Sequence, residues 1–128
     1  MADPVPSTRY RDKLTRELRT GVVGLTLLFI IDRTGPDYGY HILRRIEEQS
    51  GGRLAFKEGT AYPVLQNLER QGLVSTYWGE SQTGPPRKYY QITREGREAL
   101  DEGLAQWRDL RDSVERILGG RPKEARKA

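Results

Sequence analysis

The apolar positions of this chain come in blocks, and the spacing inside each block predicts an element. Residues 11–33 carry two patterns in succession. The front is charged, with Leu14 and Leu18 as an apolar pair, while 22–31 is apolar nearly all round. Together they predict one long helix whose second half is enclosed by its own domain. Gly35-Pro36-Asp37 ends it, because glycine and proline do not continue a helix.

A second helix over 38–49 follows from the stripe Ile42, Leu43 and Ile46, with Arg44, Arg45, Glu47 and Glu48 on its wet side and Ser50-Gly51-Gly52 as its stop. A third starts near Glu58 or Gly59 and runs to Gln71, with Gly72 closing it. Pro63 is compatible with this helix if it falls in the first turn, where an N–H has no intrahelical partner. Two short aromatic and β-branched runs, 73–78 and 87–92, predict strands. The stretch 79–86 between them, rich in glycine, proline and small polar residues, predicts an exposed hairpin tip. A last helix opens at Thr93, an N-cap type, with Glu95 complementing the dipole, and continues to about Leu118 before Gly119-Gly120. The basic tail behind it lacks apolar residues and is expected to be disordered.

The order helix, helix, helix, hairpin, helix makes the fold class mostly α with a small β-hairpin. It is the layout of a winged helix-turn-helix with an added C-terminal helix. Residues 1–92 are expected to form the winged domain with its N-terminal helix, 93–118 a C-terminal dimerisation helix, and 119–128 a tail.

Composition narrows the chemistry. The 128 residues hold 22 Lys+Arg against 18 Asp+Glu, a net charge of +4; this permits an anionic partner without requiring one. The absence of cysteine excludes disulfides, thiolate zinc sites and cysteine nucleophiles. His41 is the single histidine, so no histidine-rich metal site can be built, and it is expected to be a surface or satisfied side chain. No phosphate loop or nucleophile–histidine pair is present, which argues against an enzyme and against a cofactor. The start of the chain has no signal layout. The run 22–31 is about half the length of a membrane span. A cytoplasmic protein without a membrane partner is expected.

The third helix carries the most specific signal. At about 100° per residue, Ala61, Leu65, Leu68 and Gly72 share one side, and Gly59, Pro63, Gln66, Asn67 and Arg70 the other, with Thr60 and Tyr62 flanking. Glutamine and asparagine suit adenine edges, and arginine suits guanine. An ordinary solvated face has the same residue types; what favours DNA is the position after a turn and before a hairpin. In the hairpin, Arg87 and Lys88 follow Thr83-Gly84-Pro85-Pro86 and suit phosphate or a minor groove. Lys57 and Tyr38 are further phosphate candidates. A winged-helix module that binds protein would instead favour apolar residues at 66, 67 and 70, and a ligand-binding dimer with vestigial DNA contacts would have lost Arg87 and Lys88.

Gly59-Thr60-Ala61-Tyr62-Pro63-Val64-Leu65, followed by Leu68-Glu69-Arg70-Gln71-Gly72-Leu73-Val74, resembles the recognition-helix motif of PadR-family regulators. Arg87-Lys88-Tyr89-Tyr90-Gln91-Ile92-Thr93-Arg94-Glu95-Gly96 resembles the family's second wing strand and last helix, and Tyr38-Gly39-Tyr40 its entry to the second helix. The single C-terminal helix resembles the small subfamily. The resemblance implies a homodimeric repressor on double-stranded DNA with a pseudo-palindromic operator, half-sites about one helical turn apart. The charged start, 9–16, is less typical of the family, and either a longer dimer interface or a DNA contact would account for it.

The last helix has a heptad-like stripe of Leu100, Trp107 and Val114, with Leu110 and Ile117 between and Leu104 and Leu118 beside them. That much apolar surface needs a partner. The resemblance implies pairing with the other subunit's first helix, where Leu14 and Leu18 lie, and with its own symmetry mate. Trp107 has two readings: it fills the dimer interface, or, as in some small members of the family with a tryptophan at this spacing from the threonine, it stacks on an aromatic or cationic effector. Gly103, one turn earlier, would leave room beside the indole.

Overall fold

The computed structural model describes residues 6–119, so the tail expected beyond Gly119 lies outside the described residues. Five helices and three strands follow one another as α1 (Pro6–Thr20), α2 (Val23–Thr34), β1 (Asp37–Tyr38), α3 (Gly39–Gln49), α4 (Glu58–Arg70), β2 (Val74–Ser81), β3 (Gly84–Ile92) and α5 (Arg94–Gly119). The strands form one antiparallel sheet in the order β1-β3-β2.

The long first helix is in fact two. The chain turns at Gly21-Val22, where Val22 N–H bonds back to Arg19 O at 3.2 Å and helical bonding resumes with Thr26 N–H to Val22 O. Glycine weakens a helix at that point, and the two halves have opposite needs. From Arg9 to Thr20 every α1 residue is exposed. In α2, Val23, Leu27, Leu28, Ile30 and Ile31 are buried. Around α2 close Ile42 and Ile46 of α3, Ala61, Leu65 and Leu68 of α4, Val74 of β2, Tyr90 of β3 and Leu100 of α5. Each large apolar side chain fully buried this way contributes about 1.5–3 kcal/mol.

Three details of α4 and the hairpin differ from expectation. Pro63 lies in the second turn of α4, not the first, since the helix starts at Glu58. It removes the bond that would reach the Gly59 carbonyl, and because Gly59 is exposed, water can satisfy that carbonyl instead. Gly72 is not part of the inward stripe; it follows the helix with φ 75° and serves as its stop. The strands extend almost to the tip, leaving only 82–83 between them. Pro85 and Pro86 belong to β3, and the ladder slips between Gly79 and Ser81 opposite them, because proline has no N–H to offer it.

Thr93 caps α5 as its type suggested. Its Oγ1 accepts the Gly96 N–H at 3.0 Å and donates toward the Gly72 and Leu73 carbonyls at 2.7 and 3.1 Å. This fastens the start of α5 to the turn after α4. Gly96 is buried, and a Cβ there would overlap the Leu73 carbonyl oxygen and come within 2.7 Å of Ile92 Cγ1. Gly96→Ala is therefore expected to lower the unfolding free energy by about 3 kcal/mol in denaturant titration, at the upper end for overpacking. Gly59→Ala, with open space around it, should stay within about 1 kcal/mol of wild type or gain slightly.

Candidate nucleic-acid interface

The inward stripe of α4 leaves its other side to solvent. Gly59, Thr60, Pro63, Gln66, Asn67 and Arg70 are exposed, and Tyr62 is half-buried. Arg70 Nη2 donates to Asn67 Oδ1 at 3.3 Å, so these two polar groups face outward together. Tyr62 packs its ring against Gly39, where a Cβ would come within 2.8 Å of Cε1. Only glycine lets the start of α3 sit this close to α4. Burial, with Glu58 adding to it, pushes the Tyr62 hydroxyl above its ordinary pKa. Burial also raises Tyr90.

Tyr38 is not the first residue of a helix. It is the second residue of β1, paired with Tyr89, and its extended backbone precedes α3. Beside it Asp37 is buried at 6% exposure and is fully engaged. Its Oδ1 accepts the Tyr38 N–H at 2.9 Å, and its Oδ2 lies 3.0 Å from Arg45 Nε and 2.8 Å from His41 Nδ1. A carboxylate removed from water is tolerable when paired this way. His41 is thus a satisfied side chain, stacked on Tyr38 at 5.7 Å. Tyr38 meets Tyr89 edge-on at 5.6 Å, and Tyr89 stacks on Tyr77 at 5.4 Å.

The two wing cations have different surroundings. The Arg87 guanidinium lies 4.3 Å above the Tyr38 ring, which orients it without neutralising it. Lys88, expected against phosphate, is turned inward instead. Its Nζ is 3.1 Å from Glu69 Oε1, and Thr76 Oγ1 donates to Glu69 Oε2 at 2.7 Å. Lys88 therefore ties the wing to α4, and its charge is largely spent on Glu69. Between α4, the start of α3 and β3 lies an open cleft of about 450 Å³ lined by Tyr38, Tyr40, Tyr62, Gln66, Arg87 and Lys88. Lys57 and Thr60 lie apart from it, in a shallow depression shared with Arg16 and Arg19 of α1.

A second, larger groove of about 770 Å³ runs between α1, α2 and α5, lined among others by Leu18, Leu25, Gly103, Trp107, Leu110 and Val114. Leu14, Leu18, Trp107, Leu110, Val114, Ile117 and Leu118 are exposed. Leu100 is corrected: at 3% exposure it belongs to the chain's own core, and Leu104 packs against that core. Gly103 is corrected in part. A Cβ there would come within 2.8 Å of Leu25 Cδ1, so the missing side chain lets α5 approach α2 and the space is taken by Leu25.

The comparisons with known proteins agree with this geometry. The model of the transcriptional regulator PadR-like family matches residues 27–102. The chain belongs to the PadR-like family. A solved PadR-family transcriptional regulator from Eggerthella lenta is 31% identical, with TM-score 0.70, 90% of this chain and 94% of that one covered. A PadR-like transcription factor from Bacteroides fragilis is 34% identical, with TM-score 0.66, covering 82% of this chain and 98% of that one. An uncharacterised protein from Lysinibacillus sphaericus is 32% identical over 83 residues, 65% of this chain and 76% of that protein. The winged helix-turn-helix is thus that of PadR-like transcriptional regulators, and membership implies regulation through DNA binding. Among the described residues no helix is long and apolar enough to cross a membrane.

Sequence reasoning missed Asp37 and Glu69. Asp37 had a readable signal, an acid four residues before His41 and eight before Arg45; Glu69 had none, since both its partners come from other elements. The hydrogen bonds from Thr76 and then Lys88 hold the Glu69 carboxyl below its ordinary value of 4.5. A lowered folded pKa means the stabilisation is present above 4.5 and fades as pH falls through the folded value. Glu69→Gln is expected to lower stability near neutral pH by under about 1 kcal/mol, since the pair is a third exposed. Denaturant titrations at falling pH should show wild type and variant converging below the carboxylate range.

Proposed function

We propose that this PadR-like regulator reads DNA with the exposed face of α4 and works as a repressor by occluding a promoter. The observation that carries this is the outward set Gln66, Asn67 and Arg70, standing beside a wing whose Arg87 is held ready on Tyr38. Amide and guanidinium groups on a helix that can enter the major groove are the chemistry of base-edge recognition. Pro63 and the glycine at 59 keep the start of that face low, which favours close approach. Arg87, Lys57, Thr60, Tyr62 and Tyr38 are assigned to the backbone and to positioning; Lys88 contributes chiefly by fixing the wing. Reading DNA in a bacterial-type regulator places the protein in the cytoplasm.

In a mobility-shift titration on its own upstream region, Arg70→Ala should cost about 1–3 kcal/mol, roughly 5- to 150-fold, and should relax sequence preference. Arg87→Ala should weaken operator and unrelated duplex alike and flatten the salt dependence. Full retention of affinity by both variants would overturn the assignment.

We assign the outer part of α5 to a homodimer. Trp107, Leu110, Val114 and Ile117, together with Leu14 and Leu18 of α1, leave an apolar surface that a lone chain does not cover. A two-fold pair fits a pseudo-palindromic operator. The same groove suits a planar aromatic cation as effector: the indole of Trp107 would stack on it, and three acids, Glu17, Asp109 and Glu115, line the groove against one cation, Arg111. Binding there would shift the spacing of the two recognition helices and release DNA. Leu110→Asp/Val114→Asp should sediment at the mass of one chain with its helical content kept. In a Trp78→Phe background it should also lose the quenching of Trp107 by such a cation. A variant that still sediments as a dimer would sink the assignment.

A further inference from the structure

The helix α1 divides its surface between two tasks. At about 100° per residue, Arg9, Lys13, Arg16 and Thr20 fall within roughly 60° of one another, about 150° away from Leu14 and Leu18. Leu18 and Glu17 line the groove of Trp107. Arg16, Arg19 and Thr20 instead line the depression of about 260 Å³ that holds Lys57 and Thr60. The basic edge of α1 is thus continuous with the start of the recognition helix, where Lys57 and Thr60 are assigned to the DNA backbone. The matched family region begins at Leu27, so α1 lies before it.

We infer that this basic edge is a second contact to the DNA backbone, set beside the recognition helix and blind to sequence. The inference rests on α4 being the reading helix. Arg16, Arg19 and Lys57 bring three cations to one depression with no acid among its lining residues. Lys13 pairs only loosely with Glu17, at 3.9 Å with both side chains more than half exposed, so phosphate can displace that partner at little cost. The edge from Arg9 to Thr20 spans about 16 Å of helix, the axial rise of roughly five base pairs of a duplex. Over that distance Arg9, Lys13, Arg16 and Arg19 outnumber the two exposed acids, Asp12 and Glu17, and a net positive edge of this kind fits a polyanion better than it fits a second protein chain.

The test compares the full chain with Lys13→Gln/Arg16→Gln/Arg19→Gln on two duplexes, one from its own upstream region and an unrelated one of equal length. Affinity is measured from 50 to 200 mM salt. Each lost phosphate contact reduces the slope of log affinity against log salt by about 0.9, so the triple change should reduce it by close to three for each protomer bound. The loss should be equal on both duplexes, whereas Arg70→Ala acts mainly on the upstream one. The charge-keeping variant Arg16→Lys/Arg19→Lys should keep the wild-type slope, which a merely structural role would not predict. An unchanged slope with weakened self-association would overturn the inference and leave α1 a dimer element. Failure of the wild-type chain to bind either duplex would overturn both this inference and the reading of α4.

Discussion

An apolar helix of twelve residues has no stable place on the surface of a 128-residue chain, and the burial of α2 organises the rest. Because its apolar residues point in nearly every direction, helices α3, α4 and α5 and the sheet must all approach it. A Cβ at Gly24 would stand 3.8 Å from Val64 Cγ1 of α4, and Gly103 lets α5 close on Leu25. The recognition helix is therefore held by its inward stripe of Ala61, Leu65 and Leu68, and its polar side is outward by necessity. The outward side is unconstrained by packing, so residues such as Gln66 and Asn67 are free to vary while the stripe is not.

A reading helix is useful only when the wing beside it has a fixed distance, and here two polar anchors set that distance. Glu69 joins Thr76 and Lys88, one from each long strand, to the last turns of α4. Asp37 joins the start of α3 to β1, and β1 to β3 through the Tyr90 register. Between them the rings of Tyr38, Tyr89 and Tyr77 fill the outer side of the sheet, with Gly79 giving Tyr89 room. Arg87 is placed by this stack rather than by a salt bridge. It keeps its charge for a partner while losing much of the rotamer freedom that binding would otherwise cost.

The elements were legible where one side of a segment is buried. The stripes Ile42-Ile46 and Leu65-Leu68, the Thr93 cap and the outward trio on α4 all follow from spacing alone, and the motif around Gly59 carried the family. What spacing could not reveal depends on direction and on distant partners. The break at Gly21-Val22 was hidden because a charged half and an apolar half read as one continuous periodic run. Leu100 and Trp107 sit on one stripe, yet α5 outruns the core between them, so one is buried and the other exposed. Lys88 and Arg87 are neighbours in sequence but alternate across a strand, and only the position of Glu69 decides which is neutralised.

That same break explains how one short helix can serve both ends of the molecule. Were residues 11–33 a single helix, the direction of α1 would be fixed by α2, whose orientation the core dictates. Ending at Thr20 and restarting at Val23 frees α1 from that rule. Its Leu18 side can then meet the groove of Trp107 while its Arg16 side meets Lys57 and Thr60. The groove of Trp107 and the proposed DNA face are thereby bridged by one element about 22 Å long. A change in how α1 sits against α5 would be felt at the start of the recognition helix without passing through the packed core, whose close packing resists small continuous shifts.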